Sequence, residues 1–124
     1  MNLGCVAVGR GLLAALLVAG LAMSLRPLAP GAGPENWFAG ADKLFHVGYF
    51  VLLWWLGVHA RLVSPWMLGL GLLLFGVGIE AAQGAITATR SASFTDVLAD
   101  AAGLLLGAAL TRPVSARQPQ EDRR

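Results

Sequence analysis

The sequence is poor in charged residues and in cysteine, and both shortages limit what the chain can be. Only 13% of its 124 residues are Asp, Glu, Lys or Arg, whereas 56% are hydrophobic. Typical soluble domains carry about 25% charged residues, so this chain has too few to cover a soluble surface. The single cysteine, Cys5, excludes an internal disulfide framework. Composition therefore indicates a small integral membrane protein.

The hydrophobic residues form four segments, each close to the roughly 20 residues that cross a bilayer. Pro65 is suited to the first position of a helix, and Ser93 to Asp96 match a capping box. We expect helices over residues 3–25, 44–62, 65–88 and 94–111.

The sequence therefore predicts an all-α integral membrane protein, a bundle of four transmembrane helices. The bundle is expected to form one domain over residues 1–112. Residues 113–124 are polar and are predicted to be a disordered cytoplasmic tail.

The first segment has an alternative interpretation as a signal peptide. Arg10 would then be the charged flank, residues 12–25 the apolar core, and residues 22–24 a cleavage site. The residues before Arg10 are themselves apolar, however, and a retained helix gives an even number of spans. We therefore expect the first helix to be retained.

The basic residues predict an orientation in the membrane. Six of the nine lie on the side of the N-terminus, so the positive-inside rule places both termini in the cytoplasm. The sequence pI is about 9.3, but these residues border hydrophobic segments or lie in the tail. Membrane lipids are therefore the expected partners, and nucleic acid is not. All four tryptophans are interpreted as interfacial anchors: Trp37, Trp54, Trp55 and Trp66.

This topology brings polar residues of the second, third and fourth helices to the outer membrane face. On the fourth helix, Asp96, Asp100, Gly103 and Gly107 share one stripe, and small residues at such spacing let helices approach closely. The acids should then face the bundle as well. The candidate site comprises Asp42, Lys43, His46, Tyr49, Glu80, Gln83, Arg90, Asp96 and Asp100.

Most of these residues also have a purely structural explanation. Asp96 can complete the capping box, and Asp42 suits the positive end of a helix dipole. Glu80 and Asp100 lie inside apolar stretches without such a role, where a charge costs roughly 2.5–3.5 kcal/mol if it faces lipid. These two indicate a polar network. The expected partners of Glu80 are His46, Lys43 and Arg90.

Three elements resemble motifs of the VanZ-like membrane protein family. Residues 42–49 are similar to its D-K-x-x-H-x-x-Y element, residues 80–83 to E-x-x-Q, and residues 90–103 to R-x5-D-x3-N-x2-G. The elements occur in the family order and cover about residues 40–110. Asp100 replaces the usual Asn, and Val47 stands where an aromatic residue is frequent. The family is named for a protein that confers teicoplanin resistance, and the resemblance implies a role at the cell envelope.

We expect the candidate site to bind an envelope lipid headgroup or a lipophilic glycopeptide at the outer leaflet. Lys43 and Arg90 lie near helix N-termini, which suit an anionic headgroup, although Asp42 and Asp96 partly offset that potential. The first alternative is a structural role in assembly, in which the ionisable residues form only a lattice of ion pairs.

The second alternative is a membrane-embedded hydrolase of a lipid-linked substrate. His46 would supply acid–base chemistry with Glu80 or Asp96, and Arg90 would stabilise negative charge, but no nucleophile motif accompanies them. His46 with the three acids also offers mixed metal ligands. Their spacing matches no specific metal motif, so we predict neither a metal nor a cofactor.

Overall fold

The computed structural model describes residues 3–27, 29, 31–86 and 92–112, and within them it contains helices and no strand. The four α-helices are α1 (Leu3–Leu25), α2 (Ala41–Ala60), α3 (Pro65–Ile86) and α4 (Phe94–Leu110). One turn of 3₁₀-helix, Pro34–Asn36, lies between α1 and α2. The all-α prediction is confirmed. The predicted tail and Arg90 lie outside the described residues.

Helix α2 begins three residues earlier than its apolar segment predicts. Gly40 precedes it with a φ of 84°, a left-handed conformation that glycine adopts without a steric penalty. Asp42 therefore lies in the first helical turn, where a carboxylate interacts favourably with the helix dipole. The helix thus includes the polar residues of its N-terminal end.

The other helix starts follow the predicted signals. Pro65 is the first residue of α3, where its missing N–H leaves no hydrogen bond unmade. Ser93 is the N-cap of α4, and its hydroxyl accepts a hydrogen bond from the Asp96 N–H at 3.3 Å.

Helix α2 occupies the centre of the bundle, and its buried residues include Phe50, Leu53 and Leu56. The predicted glycine stripe of α4 packs directly against it. A Cβ added to Gly103 would lie 2.9 Å from the Cβ of Phe50, and one added to Gly107 would lie 2.9 Å from that of Trp54. The absence of side chains at these two positions therefore sets the close approach of α2 and α4.

The interpretation of Trp54 as an interfacial anchor is wrong. Its side chain is only 8% exposed, packs over Gly107, and donates its indole N–H to the Thr111 hydroxyl at 2.9 Å. Gly107 leaves the space that the ring fills, and this could not be recognised from either residue alone. The other three tryptophans are exposed: Trp37, Trp55 and Trp66.

Among the described residues, two helices are long and apolar enough to cross a membrane. They are α1, with 23 residues, and α3, with 22. Both expose large apolar side chains, such as Val18, which is 68% exposed, and Leu74, which is 61% exposed. A helix in the core of a soluble protein would bury these side chains.

Candidate functional site

Six polar side chains from three helices meet at the end of the bundle where α2 and α4 begin and α3 ends. This end is well separated from the other, where Arg10 of α1 donates to the carbonyl of Ala60, the last residue of α2. We call the group the polar centre; it consists of Asp42, Lys43, His46, Glu80, Asp96 and Asp100.

Lys43 joins the two helices that begin at this end. Its ammonium group donates to Asp42 on α2 and to Oδ1 of Asp96 on α4. The three side chains remain partly exposed, at 37% for Lys43, 27% for Asp42 and 16% for Asp96. Lys43 is thus shared between two carboxylates at the rim of the polar centre.

His46 and Asp100 form the inner part of the polar centre. Nδ1 of His46 lies 2.7 Å from Oδ1 of Asp100, whose side chain is only 1% exposed. A ring nitrogen that carries a hydrogen can donate it to this carboxylate oxygen, and the bond fixes the orientation of the imidazole. Nε2 of the same ring faces Oδ2 of Asp96 at 3.7 Å, which is too long for a hydrogen bond.

Asp100 fits at this depth because α3 has a glycine opposite it. A Cβ on Gly76 would collide with Oδ2 of Asp100 and lie 3.0 Å from the ring of Phe50. The buried carboxylate thus lies in space left by a missing side chain. Asp100 was predicted from its apolar surroundings, but its pairing with His46 depends on this close packing.

Glu80 takes part in the N-terminal cap of α4. It is 4% exposed, and its Oε2 accepts the backbone N–H of Ser93 at 2.8 Å. In a capping box this N–H would bind the side chain of residue 96. The carboxylate of Asp96 binds Lys43 instead, so Glu80 from α3 supplies the missing acceptor.

The remaining oxygen of Glu80, Oε1, is enclosed, and it accepts no hydrogen bond from the part of the chain that the structure describes. Of its three expected partners, His46 is bonded to Asp100, and Lys43 is bonded to Asp42 and Asp96. The third, Arg90, is not among the described residues. Ser93 was missed as a partner because a backbone N–H has no residue-type signature. Its N-cap pattern is the signal that identifies an N–H in need of an acceptor.

Tyr49 and Gln83 each donate a hydrogen bond to α1. The Tyr49 hydroxyl donates to the carbonyl of Leu16 at 2.7 Å, and the Gln83 amide donates to the carbonyl of Ser24 at 2.9 Å. Tyr49 shares a helical face with His46, as its spacing predicts, but its hydroxyl binds a different helix. These two bonds attach α1 to α2 and α3.

Three residues of the polar centre place possible metal ligands close together. His46, Glu80 and Asp96 each offer one nitrogen or oxygen atom, and these atoms all lie within 4.8 Å of one another. They come from α2, α3 and α4 respectively. The arrangement combines one imidazole, two carboxylates and a buried carboxylate that orients the imidazole.

The comparisons with known proteins give no match: no family model, no curated protein and no solved structure is similar to this chain. Membership of the VanZ-like family therefore stays a prediction based on the three motif elements in residues 42–103.

Proposed function

We propose that the chain is a multi-pass protein of the bacterial inner membrane, that it is VanZ-like, and that all four helices cross the bilayer. The apolar, exposed surfaces of α1 and α3 support this proposal. Helix α4 has 17 residues, at the lower end of the range of about 17–25 that spans a bilayer, and α2 has 20. With both termini in the cytoplasm, the polar centre lies at the outer face.

We further propose that the polar centre binds the headgroup of an envelope lipid or of a lipophilic glycopeptide. One observation carries this proposal: ionisable side chains from three helices converge at one end of an otherwise apolar bundle. Such side chains mark functional sites when they lie within membrane segments. Lys43 and His46 are 37% and 27% exposed, so a headgroup at the interface has direct access to them.

The charges of the polar centre favour a headgroup that donates hydrogen bonds. Its four carboxylates outnumber the single ammonium group, and Lys43 already binds two of them. Hydroxyl and ammonium groups of a lipid or a glycopeptide can donate to these oxygens. A preference for an anionic headgroup stays a prediction that depends on Arg90.

A structural role is the second candidate, and two contacts favour it. Lys43 connects α2 to α4, and Glu80 connects α3 to the cap of α4. Both contacts hold helices together without any ligand. The hydrolase alternative has less support, because no nucleophile motif accompanies His46 and the acids in the sequence.

Histidine substitutions at the two ends of α2 test the binding proposal. His46→Ala removes the imidazole of the polar centre, whereas His59→Ala removes a partly exposed imidazole whose Nδ1 lies 2.7 Å from the Trp55 carbonyl. Native mass spectrometry with defined phospholipids and a lipoglycopeptide measures the retained ligand. We expect His46→Ala to weaken binding about tenfold or more and His59→Ala to leave it unchanged. Equal binding by both variants and the wild type would refute the proposal.

A further inference from the structure

We propose that the polar centre is a binding site for a divalent transition-metal ion, with Zn²⁺ as the ion that best fits the ligands. His46, Glu80 and Asp96 are the ligands, since their donor atoms lie within 4.8 Å of one another. Asp100 is a positioning residue that orients the imidazole of His46. This site does not depend on the proposed headgroup binding.

The histidine has the arrangement of a metal ligand. A metal-bound imidazole almost always donates its other ring N–H to a carboxylate or carbonyl, which fixes the tautomer and the ring orientation. Nδ1 of His46 is bonded to buried Asp100 at 2.7 Å, so Nε2, on the opposite side of the ring, is the nitrogen left to bind an ion. That side faces Asp96 and not the apolar interior.

The distance from His46 to Asp96 fits two ligands of one ion. Nε2 and Oδ2 are 3.7 Å apart, beyond hydrogen-bond range. Two atoms that each lie about 2.1 Å from a tetrahedral ion are separated by roughly 3.4 Å. Oδ2 is also the oxygen of Asp96 that remains when Oδ1 binds Lys43.

Glu80 supplies an independent observation. Its side chain is 4% exposed, and Oε1 is enclosed without a hydrogen bond from any described residue. Oε2 is held by the Ser93 N–H, which fixes the orientation of the carboxylate. Native proteins rarely leave a buried carboxylate oxygen without a partner, and a metal ion would provide one.

The charge and the donor atoms indicate the class of ion. The polar centre has four carboxylates and one lysine, so a divalent cation offsets their excess negative charge. One imidazole nitrogen with two carboxylate oxygens suits Zn²⁺ better than Ca²⁺ or Mg²⁺, which prefer oxygen ligands alone. Three protein ligands leave a fourth position open.

The test uses the full chain in detergent, without a histidine tag and with Cys5→Ser, because Cys5 is an exposed thiol that also binds zinc. The protein is stripped with EDTA, reloaded with Zn²⁺, and analysed by elemental mass spectrometry and thermal unfolding. We expect one Zn²⁺ per chain, a higher melting temperature with Zn²⁺, and no such effect of Ca²⁺ or Mg²⁺. Absence of bound Zn²⁺ at micromolar free ion would overturn the proposal.

Substitutions identify the ligands. His46→Ala, Glu80→Gln and Asp96→Asn should each lower Zn²⁺ affinity by about tenfold or more. His59→Ala, on the same helix at the opposite end, should not. Equal Zn²⁺ affinity in all four variants would mean that the ion binds at another site, and it would refute the proposed ligands. If a ligand variant does not fold, stoichiometry and melting of the Cys5→Ser protein decide the question alone.

Asp100→Asn tests the positioning role. It retains all three ligands, so the variant should still bind the ion, with affinity about 10–100-fold lower. Co²⁺ substituted for Zn²⁺ should give a visible spectrum that shifts in this variant, which a purely structural role would not produce. An unchanged spectrum and affinity would contradict the role assigned to Asp100. Zn²⁺ binding without any lipid binding would refute the headgroup proposal and leave the metal site intact.

Discussion

The two ends of the helical bundle are held together by different interactions. At one end, the polar centre connects α2, α3 and α4 through ionisable side chains and a backbone cap. At the other end, Arg10 donates to the Ala60 carbonyl at 3.1 Å, Trp54 donates to the Thr111 hydroxyl, and Gly57 packs against Leu68. At this end, single hydrogen bonds and close apolar packing hold the helices together.

The comparison shows that closing the bundle does not require a group of carboxylates. Each buried carboxylate must be compensated by partners, whereas packing around glycine requires no such compensation. The buried acids Glu80 and Asp100 at one end therefore support the binding proposal. The predictions below test this difference between the ends, from the largest expected effect to the smallest.

The largest expected effect is a difference in thiol labelling between the two ends of the bundle in intact cells. With Cys5→Ser as background, Ala92→Cys lies beside the polar centre, and Leu62→Cys lies in the turn between α2 and α3. A membrane-impermeant thiol reagent should label Ala92→Cys from outside and Leu62→Cys only after the membrane is opened. Labelling of both from the same side would contradict the four-span arrangement.

The next largest expected effect is a loss of stability when packing is disturbed at the end of the bundle opposite the polar centre. Gly107→Leu forces a side chain into the ring of Trp54, so we expect the free energy of unfolding to fall by about 3 kcal/mol. Gly71→Leu is the control, because a Cβ at Gly71 meets nothing within 4 Å. Thermal melting in detergent measures both. Similar melting temperatures for the two variants would mean that α2 and α4 do not approach as described.

Glu80→Gln separates binding from stability at the polar centre. The amide oxygen of glutamine can still accept the Ser93 N–H, so we expect the free energy of unfolding to change by less than about 1 kcal/mol. Headgroup binding should fall about tenfold, because the amide lacks the negative charge of Glu80. Asp96→Asn should behave in the same way. A large loss of stability without a separate loss of binding would support the structural alternative.

The smallest effect is expected from Trp54→Phe. This change removes one hydrogen bond to Thr111 and part of the ring, so stability should fall by about 1 kcal/mol. Trp66→Phe is the matched control, because Trp66 is 70% exposed. Equal melting temperatures for these two variants would restore the interpretation of Trp54 as an interfacial anchor.

Local sequence features were sufficient to predict the helices and the end at which polar residues collect. Apolar runs of spanning length predict helical segments, and Pro65 and Ser93 mark two of their starts. Short connections make successive helices antiparallel, so the starts of α2 and α4 meet the end of α3. The meeting of Asp42, His46, Glu80, Asp96 and Asp100 follows from these facts.

Only the tertiary structure decided which groups become partners. Spacing along a helix defines a face, but the rotation and separation of neighbouring helices decide which atoms come within reach. Gly76 and Gly103 set these separations by leaving space for Asp100 and Phe50. The Ser93 N–H and the Leu16 carbonyl are backbone groups that any residue would carry. The bonds that Glu80 and Tyr49 make with them therefore depend on three-dimensional packing, which the sequence pattern does not encode locally.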